Sequence, residues 1–181
     1  MPASRADLLA FLQELGITTQ TVEHPPLFTV EQSRALRGEI AGGHTKNLFL
    51  KDKRDQVLLV VAEEDAGIDM KTLHKRIGSG RLSFGRPELL AELLGVVPGS
   101  VTPFGAINDR AGQVVVILDS DLMRHETLNF HPLQNSATTS ISRHDLIKFL
   151  RATGHEPRIV EVAGREAGPG SAADPAERRP E

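Results

Sequence analysis

The chain has no cysteine, no tryptophan and no tyrosine. Without thiols it can build no disulfide framework, no thiolate zinc site and no cysteine nucleophile. Its seven phenylalanines are the only aromatics, 4% of 181 residues, so Leu, Val and Ile must supply most of a core. No apolar run approaches the roughly 20 residues of a membrane-spanning helix. The N-terminus lacks a signal-peptide pattern, so a cytoplasmic protein with no membrane partner is expected. A net charge of -3 argues against a generic nucleic-acid coat. It leaves room for one local basic face, because association depends on where charges sit. What is present is ordinary for a soluble globular protein: 39% hydrophobic, 25% charged, and long enough for one apolar core.

Helices and strands alternate along the chain. Ser4 and Asp7 form a capping box ahead of an apolar face of Leu8, Phe11, Leu12 and Leu15, and Gly16 stops that helix. Ile17–Val22 suits a strand. His24-Pro25-Pro26 breaks the chain, and Thr29 with Gln32 caps a short helix to about Leu36, a candidate lid. Strands at Asn47–Leu50 and Val57–Ala62 flank a charged turn and read as a hairpin. Further helices are expected at 69–76, at 87–94 behind Pro87, and after Ser142 with Asp145. Further strands are expected at 82–84, 114–118, 126–130, 138–141 and 158–162. From Ala163 onward the chain is Gly, Ala, Pro, Ser and charges, too poor in apolar surface to offset its ordering entropy. The expected organisation is one domain over 1–162, with a mixed, largely antiparallel curved sheet surrounded by helices, and a disordered tail over 163–181.

Several chemistries find no support in the spacing. His125-Glu126 lacks a second histidine at i+4, where Asn129 stands, and the segment reads as strand, so no metal site is expected. Asp119 and Asp121 around Ser120 fit a helix cap better than a cation cradle. No Gly-x-Ser-x-Gly elbow is present, and Gly78-Ser79-Gly80 lacks the Lys-Ser/Thr ending of a phosphate loop.

Three stretches remain. Gly42-Gly43-His44-Thr45-Lys46-Asn47 leads into a strand, and a lysine there must reach water or a partner. It reads either as a solvated turn residue or, with Asn47, as a donor pair for a carbonyl, carboxylate or phosphate. Val97-Pro98-Gly99-Ser100-Val101-Thr102-Pro103 is a rigid loop whose amides can converge on an oxygen, or simply a turn. Asn129-Phe130-His131-Pro132 puts an imidazole at a strand end.

Taken in order with Pro25 and Leu27-Phe28-Thr29, these motifs resemble the YbaK/prolyl-tRNA-synthetase-associated editing family. Within it the chain is most similar to the freestanding alanyl-tRNA(Pro) deacylases. The resemblance spans about residues 4 to 162. It implies a single-domain hydrolase without cofactor that cleaves the ester of mischarged alanyl-tRNA(Pro). The partners it implies are the acceptor end of that tRNA and prolyl-tRNA synthetase, with the protein a monomer. Catalytic positions fall on Lys46, Asn47, Gly99 and Pro103. Substrate positions fall on Phe28, Thr29, Ser100, Val101, Thr102, Asn129 and His131, with Phe28, Phe130 and His131 expected to wall a small pocket. Lys75, Arg76 and Arg81 are expected to face tRNA. Two readings stand beside it: a deacylase for cysteine or serine, and a non-catalytic tRNA-binding module of the same fold.

Overall fold

The computed structural model describes residues 1–26, 31–32, 35 and 40–163. Helix α1 (Arg5–Glu14) begins at the Ser4–Asp7 capping box and ends before Gly16, whose φ is +75°. Strand β1 (Gln20–Glu23) follows. Strands β2 (Gly43–Asp52) and β3 (Val57–Glu63) form the expected hairpin, longer than the apolar pattern marks because Gly43 and Thr45 also join the ladder. Helix α2 (Leu73–Ile77) starts later than expected. Asp69 instead holds a turn ahead of it, accepting from the Lys71 amide through its carboxylate and from Leu73 through its carbonyl. Strand β4 (Leu82–Phe84) leads to helix α3 (Pro87–Leu94), with Pro87 at its first position and Gly95 at φ +69° ending it. A 3-10 helix (Pro103–Asn108) precedes β5 (Val114–Asp119). Then come β6 (Thr127–Phe130), β7 (Ala137–Ser142), α4 (Arg143–Ala152, capped by Ser142) and β8 (Arg158–Val160).

The strands form one mixed sheet in the order β1-β7-β6-β2-β3-β5-β8, with β4 added on β2. Pairings β1–β7, β2–β3, β2–β4 and β6–β7 are antiparallel, while β2–β6, β3–β5 and β5–β8 are parallel. Period-two alternation divides the interior. Phe49, Leu59, Val61, Val116 and Leu118 face a large core closed by α1, α3 and α4. Leu50, Leu58, Val60, Ala62 and Ile117 face a smaller one covered by α2 and Val162. Strand β3 is therefore buried on both faces, which is why its sequence is a continuous apolar run. Leu58 is fully buried there, and truncating it to alanine would cost about 2–5 kcal/mol.

Candidate active site

Strand β2 is paired unevenly, and that unevenness creates the candidate site. On one side it is zipped to β3 from Thr45 to Lys51. On the other it pairs with β6 at Gly43 and His44, and with β4 from Leu50 to Asp52. The Gly85 amide extends the β4 side to the Phe49 carbonyl. Among the described residues, 45–48 thus have a strand neighbour on one side only. An uncovered edge of this kind offers backbone donors and acceptors to a ligand.

Lys46 and Asn47 lie in this uncovered stretch, and alternation sends their side chains to opposite faces. Lys46 pairs with Ala62 on the smaller-core face, and its ammonium donates to the Ala66 carbonyl at 2.5 Å. Asn47 pairs with Val61 on the larger-core face. Its Oδ1 is buried and has no hydrogen-bond partner among the described residues. A buried acceptor without a donor is costly unless a ligand supplies one.

The glycines before the strand are there for space rather than flexibility. Gly42 has φ +106°, and a Cβ on it would sit 2.8 Å from the Thr127 carbonyl. A Cβ on Gly43 would sit 2.8 Å from the His125 ring. Asn129 locks this approach. Its Nδ2 donates to the carbonyls of Ala41 and Gly43, its Oδ1 accepts from Ser140 at 2.5 Å, and its own carbonyl accepts from Thr45. Asn129 is buried and its side-chain amide is occupied within the protein, so it positions β2 against β6.

The register of β2 against β6 pairs Gly43 with Leu128 and His44 with Asn129, and His131 follows the end of β6 at Phe130. The His131 Nδ1 lies 3.2 Å from the Ala137 carbonyl, which can only accept, so Nδ1 carries the hydrogen. Burial pushes this imidazole below its ordinary pKa, against a smaller opposing effect of that carbonyl, with His24 adding to the depression. A neutral ring with Nδ1–H leaves Nε2 as an acceptor. Phe130 is 2% exposed and packs edge-on to Phe104 with centroids 5.8 Å apart. It belongs to the larger core and not to an open pocket wall, because its ring is covered on the core side of β6.

The 97–103 loop is fixed at both ends. Gly99 takes φ +94° beside Asn135, and the Ser100 amide closes a turn onto the Val97 carbonyl. Thr102 caps the 3-10 helix by accepting from the Phe104 amide, and Pro103 occupies its first position. Phe104 anchors the loop against Phe130 and Phe149. The amides of Val101 and Thr102 make no hydrogen bond among the described residues, although Thr102 is fully buried. Ser100 and Thr102 are buried and Val101 half-buried.

Lys75, Arg76 and Arg81 are all exposed on the α2–β4 segment. Arg76 also donates to the Glu161 carbonyl at 3.4 Å. Phe28 and Thr29 lie outside the described residues, as do most of the 27–36 lid and positions 164–181 of the tail. Sequence reasoning missed the contact of His125 with Glu63 at 2.5 Å and the buried pair of His155 with Asp109 at 2.8 Å. Each joins residues far apart along the chain, so no local pattern marks it. Among the described residues no cluster of three or more His, Asp or Glu could hold a metal, and no helix is long and apolar enough to cross a membrane.

Comparison with known proteins places the chain in a family. The family model of the aminoacyl-tRNA editing domain matches residues 24–149. The prolyl-tRNA editing protein ProX of Acetoanaerobium sticklandii is 39% identical over 163 residues, covering 90% of this chain and 99% of that protein. Prolyl-tRNA synthetase associated domain-containing protein 1 of Mus musculus is 40% identical over 161 residues, covering 86% of this chain and 95% of that protein. A solved structure of the hypothetical protein APE2540 shares the fold, with a TM-score of 0.67 at 20% identity over 87% of this chain and 99% of that one. These matches define an enzyme class, the aminoacyl-tRNA deacylases. The chain belongs to the aminoacyl-tRNA editing domain family.

Proposed function

We propose that the protein edits in trans, hydrolysing the ester that joins alanine to mischarged proline tRNA. The family and the prolyl-tRNA editing relatives support the substrate class. The observation that carries the chemistry is the uncovered stretch of β2. That stretch carries a lysine and a buried acceptor at Asn47 Oδ1, and we take the oxyanion donors to be the Val101 and Thr102 amides, which make no hydrogen bond among the described residues.

An aminoacyl ester is already activated, so the site need only orient water and hold the developing oxyanion. Water adds to the carbonyl carbon, and the carbonyl π electrons move onto oxygen, to which the Val101 and Thr102 amides donate hydrogen bonds. Collapse breaks the bond to the ribose oxygen. That oxygen takes up the proton released by the water, giving free alanine and tRNA. Lys46 holds the terminal adenosine or its phosphate, Asn47 Oδ1 accepts from a ribose hydroxyl, and His131 Nε2 accepts from the α-ammonium group. Gly99 and Pro103 hold the loop in shape.

Preference for alanine over proline is a matter of size. Steric exclusion of the ring can discriminate more strongly than the roughly 1–3 kcal/mol that one methylene of missing contact supplies. A monomer meeting mischarged tRNA beside prolyl-tRNA synthetase in the cytoplasm fits this role.

The test is release of labelled alanine from alanyl-tRNA(Pro) by the purified protein, beside seryl- and cysteinyl-tRNA(Pro). Faster release of serine or cysteine would reassign the substrate. The Ser/Thr-tRNA deacylase ProXp-y of Escherichia coli, 31% identical over 54% of this chain, makes serine the comparison to run first. Binding without release of any amino acid would leave a non-catalytic module.

A further inference from the structure

Phe84 is 62% exposed, and no other phenylalanine among the described residues is exposed. It sits on β4 opposite Leu50, so cross-strand pairing places it on the face of β2 that carries Leu48 and Lys46. Leu82, two residues earlier on that face, packs into the smaller core under α2. Phe84 is where that core ends and the uncovered edge begins, four residues of strand from Lys46, or roughly 13 Å at the usual rise. From Met70 to Pro87 the chain carries Lys71, Lys75, Arg76, Arg81 and Arg86 and no acidic residue. Arg81 and Arg86 flank Phe84 in sequence, are exposed, and have no ion-pair partner among the described residues. In a chain of net charge -3 this is a concentrated basic stretch. Glu88 and Glu92 of α3 line one shallow cleft with Phe84, Arg86 and Lys51, so the cations lie on its β4 side.

An exposed aromatic ring costs solubility and gains nothing from core packing. Set among unpaired cations, it has the chemistry that holds single-stranded nucleic acid: a face for a base and charges for the phosphates on either side. We propose that Phe84 is a stacking platform for an unpaired base of the tRNA 3′ end, next to the adenosine delivered to Lys46, with Arg81 and Arg86 gripping the adjoining phosphates. This rests on the function proposed above and adds to it the nucleotide contact that seats the ester.

Phe84→Trp provides the probe, since the chain has no tryptophan or tyrosine of its own. Titration with an oligoribonucleotide ending in the unpaired acceptor sequence should quench its emission, and an oligonucleotide lacking the last three nucleotides should not. In parallel, Phe84→Leu should raise KM for alanyl-tRNA(Pro) about tenfold with kcat little changed, and Phe84→Trp should restore it. Thermal melts of both variants check that the exposed position leaves the fold intact. RNA binding by anisotropy without quenching, or equal KM for the leucine variant, would overturn the platform. Self-association removed by Phe84→Leu would overturn it too, making the ring a protein contact. If the wild-type chain deacylates nothing, the functional reading fails and the quenching titration still decides the platform.

Discussion

The Lys46 ammonium donates to the Ala66 carbonyl across 2.5 Å, tying the uncovered edge of β2 to the loop that follows β3. The contact holds a long, flexible side chain in one place, which on the function proposed above would lower the entropy cost of engaging a substrate. Lys46→Ala should therefore reduce kcat/KM for the aminoacyl ester about 100-fold or more, while the thermal melt moves by only a few degrees. Lys46→Arg should not rescue, because a planar fork cannot replace a compact ammonium at this carbonyl. Turnover near wild type in either variant would remove Lys46 from the chemistry.

His131 yields a pH dependence with a defined sign. Burial lowers its folded pKa below the ordinary 6.5. Below that value the unfolded chain binds a proton that the folded chain resists. Folding stability should thus fall as pH drops below about 6.5 and level off once the folded ring also protonates. The same protonation removes the Nε2 acceptor, so activity should decline over the acid limb. His131→Asn should flatten the stability profile on the acid side of about pH 6.5. An unchanged slope in chemical denaturation would assign the dependence to other groups.

Gly42 should be intolerant of a side chain. Gly42→Ala combines a left-handed φ with a contact of 2.8 Å to the Thr127 carbonyl, a backbone atom that cannot move aside. We expect a loss of about 1–3 kcal/mol, with activity reduced because β2 and β6 are pushed apart at the site. Gly67→Ala, where a Cβ meets nothing within 4 Å, is the control and should melt like wild type. Comparable melts for the two would contradict the packing account.

Binding of tRNA should weaken with salt despite the acidic net charge. Removing one cation that faces a phosphate should reduce the slope of log affinity against log salt by roughly one or less. Reversing Lys75 and Arg81 to glutamate is the informative pair, because both are exposed and Arg76 already spends a donor on Glu161. Lys51 is the weaker candidate, being paired with Asp55 at 3.2 Å. Filter-binding isotherms at several salt concentrations read the slope directly. An unaltered slope would move the phosphate-facing patch elsewhere.

Local chemistry was legible in the amino-acid order. The Ser4–Asp7 box, Pro87 with Gly95, and Ser142 with Asp145 each mark a helix end through contacts within a few residues, and the helices stand where those signals put them. The order of the Lys46, Gly99 and His131 motifs was enough to imply the family. Pairing decisions were not legible. That β2 is covered at both ends and bare from Thr45 to Leu48 depends on where β6 departs and β4 arrives, and both strands are distant along the chain. Adjacent letters suggested that Lys46 and Asn47 act side by side, yet a strand alternates its faces and parts them. Phe130 and His131 are likewise adjacent yet differ, one buried in the core and one half-buried just past the strand end. Burial is decided by what packs against a strand from elsewhere in the chain, and only the tertiary structure brings those partners together.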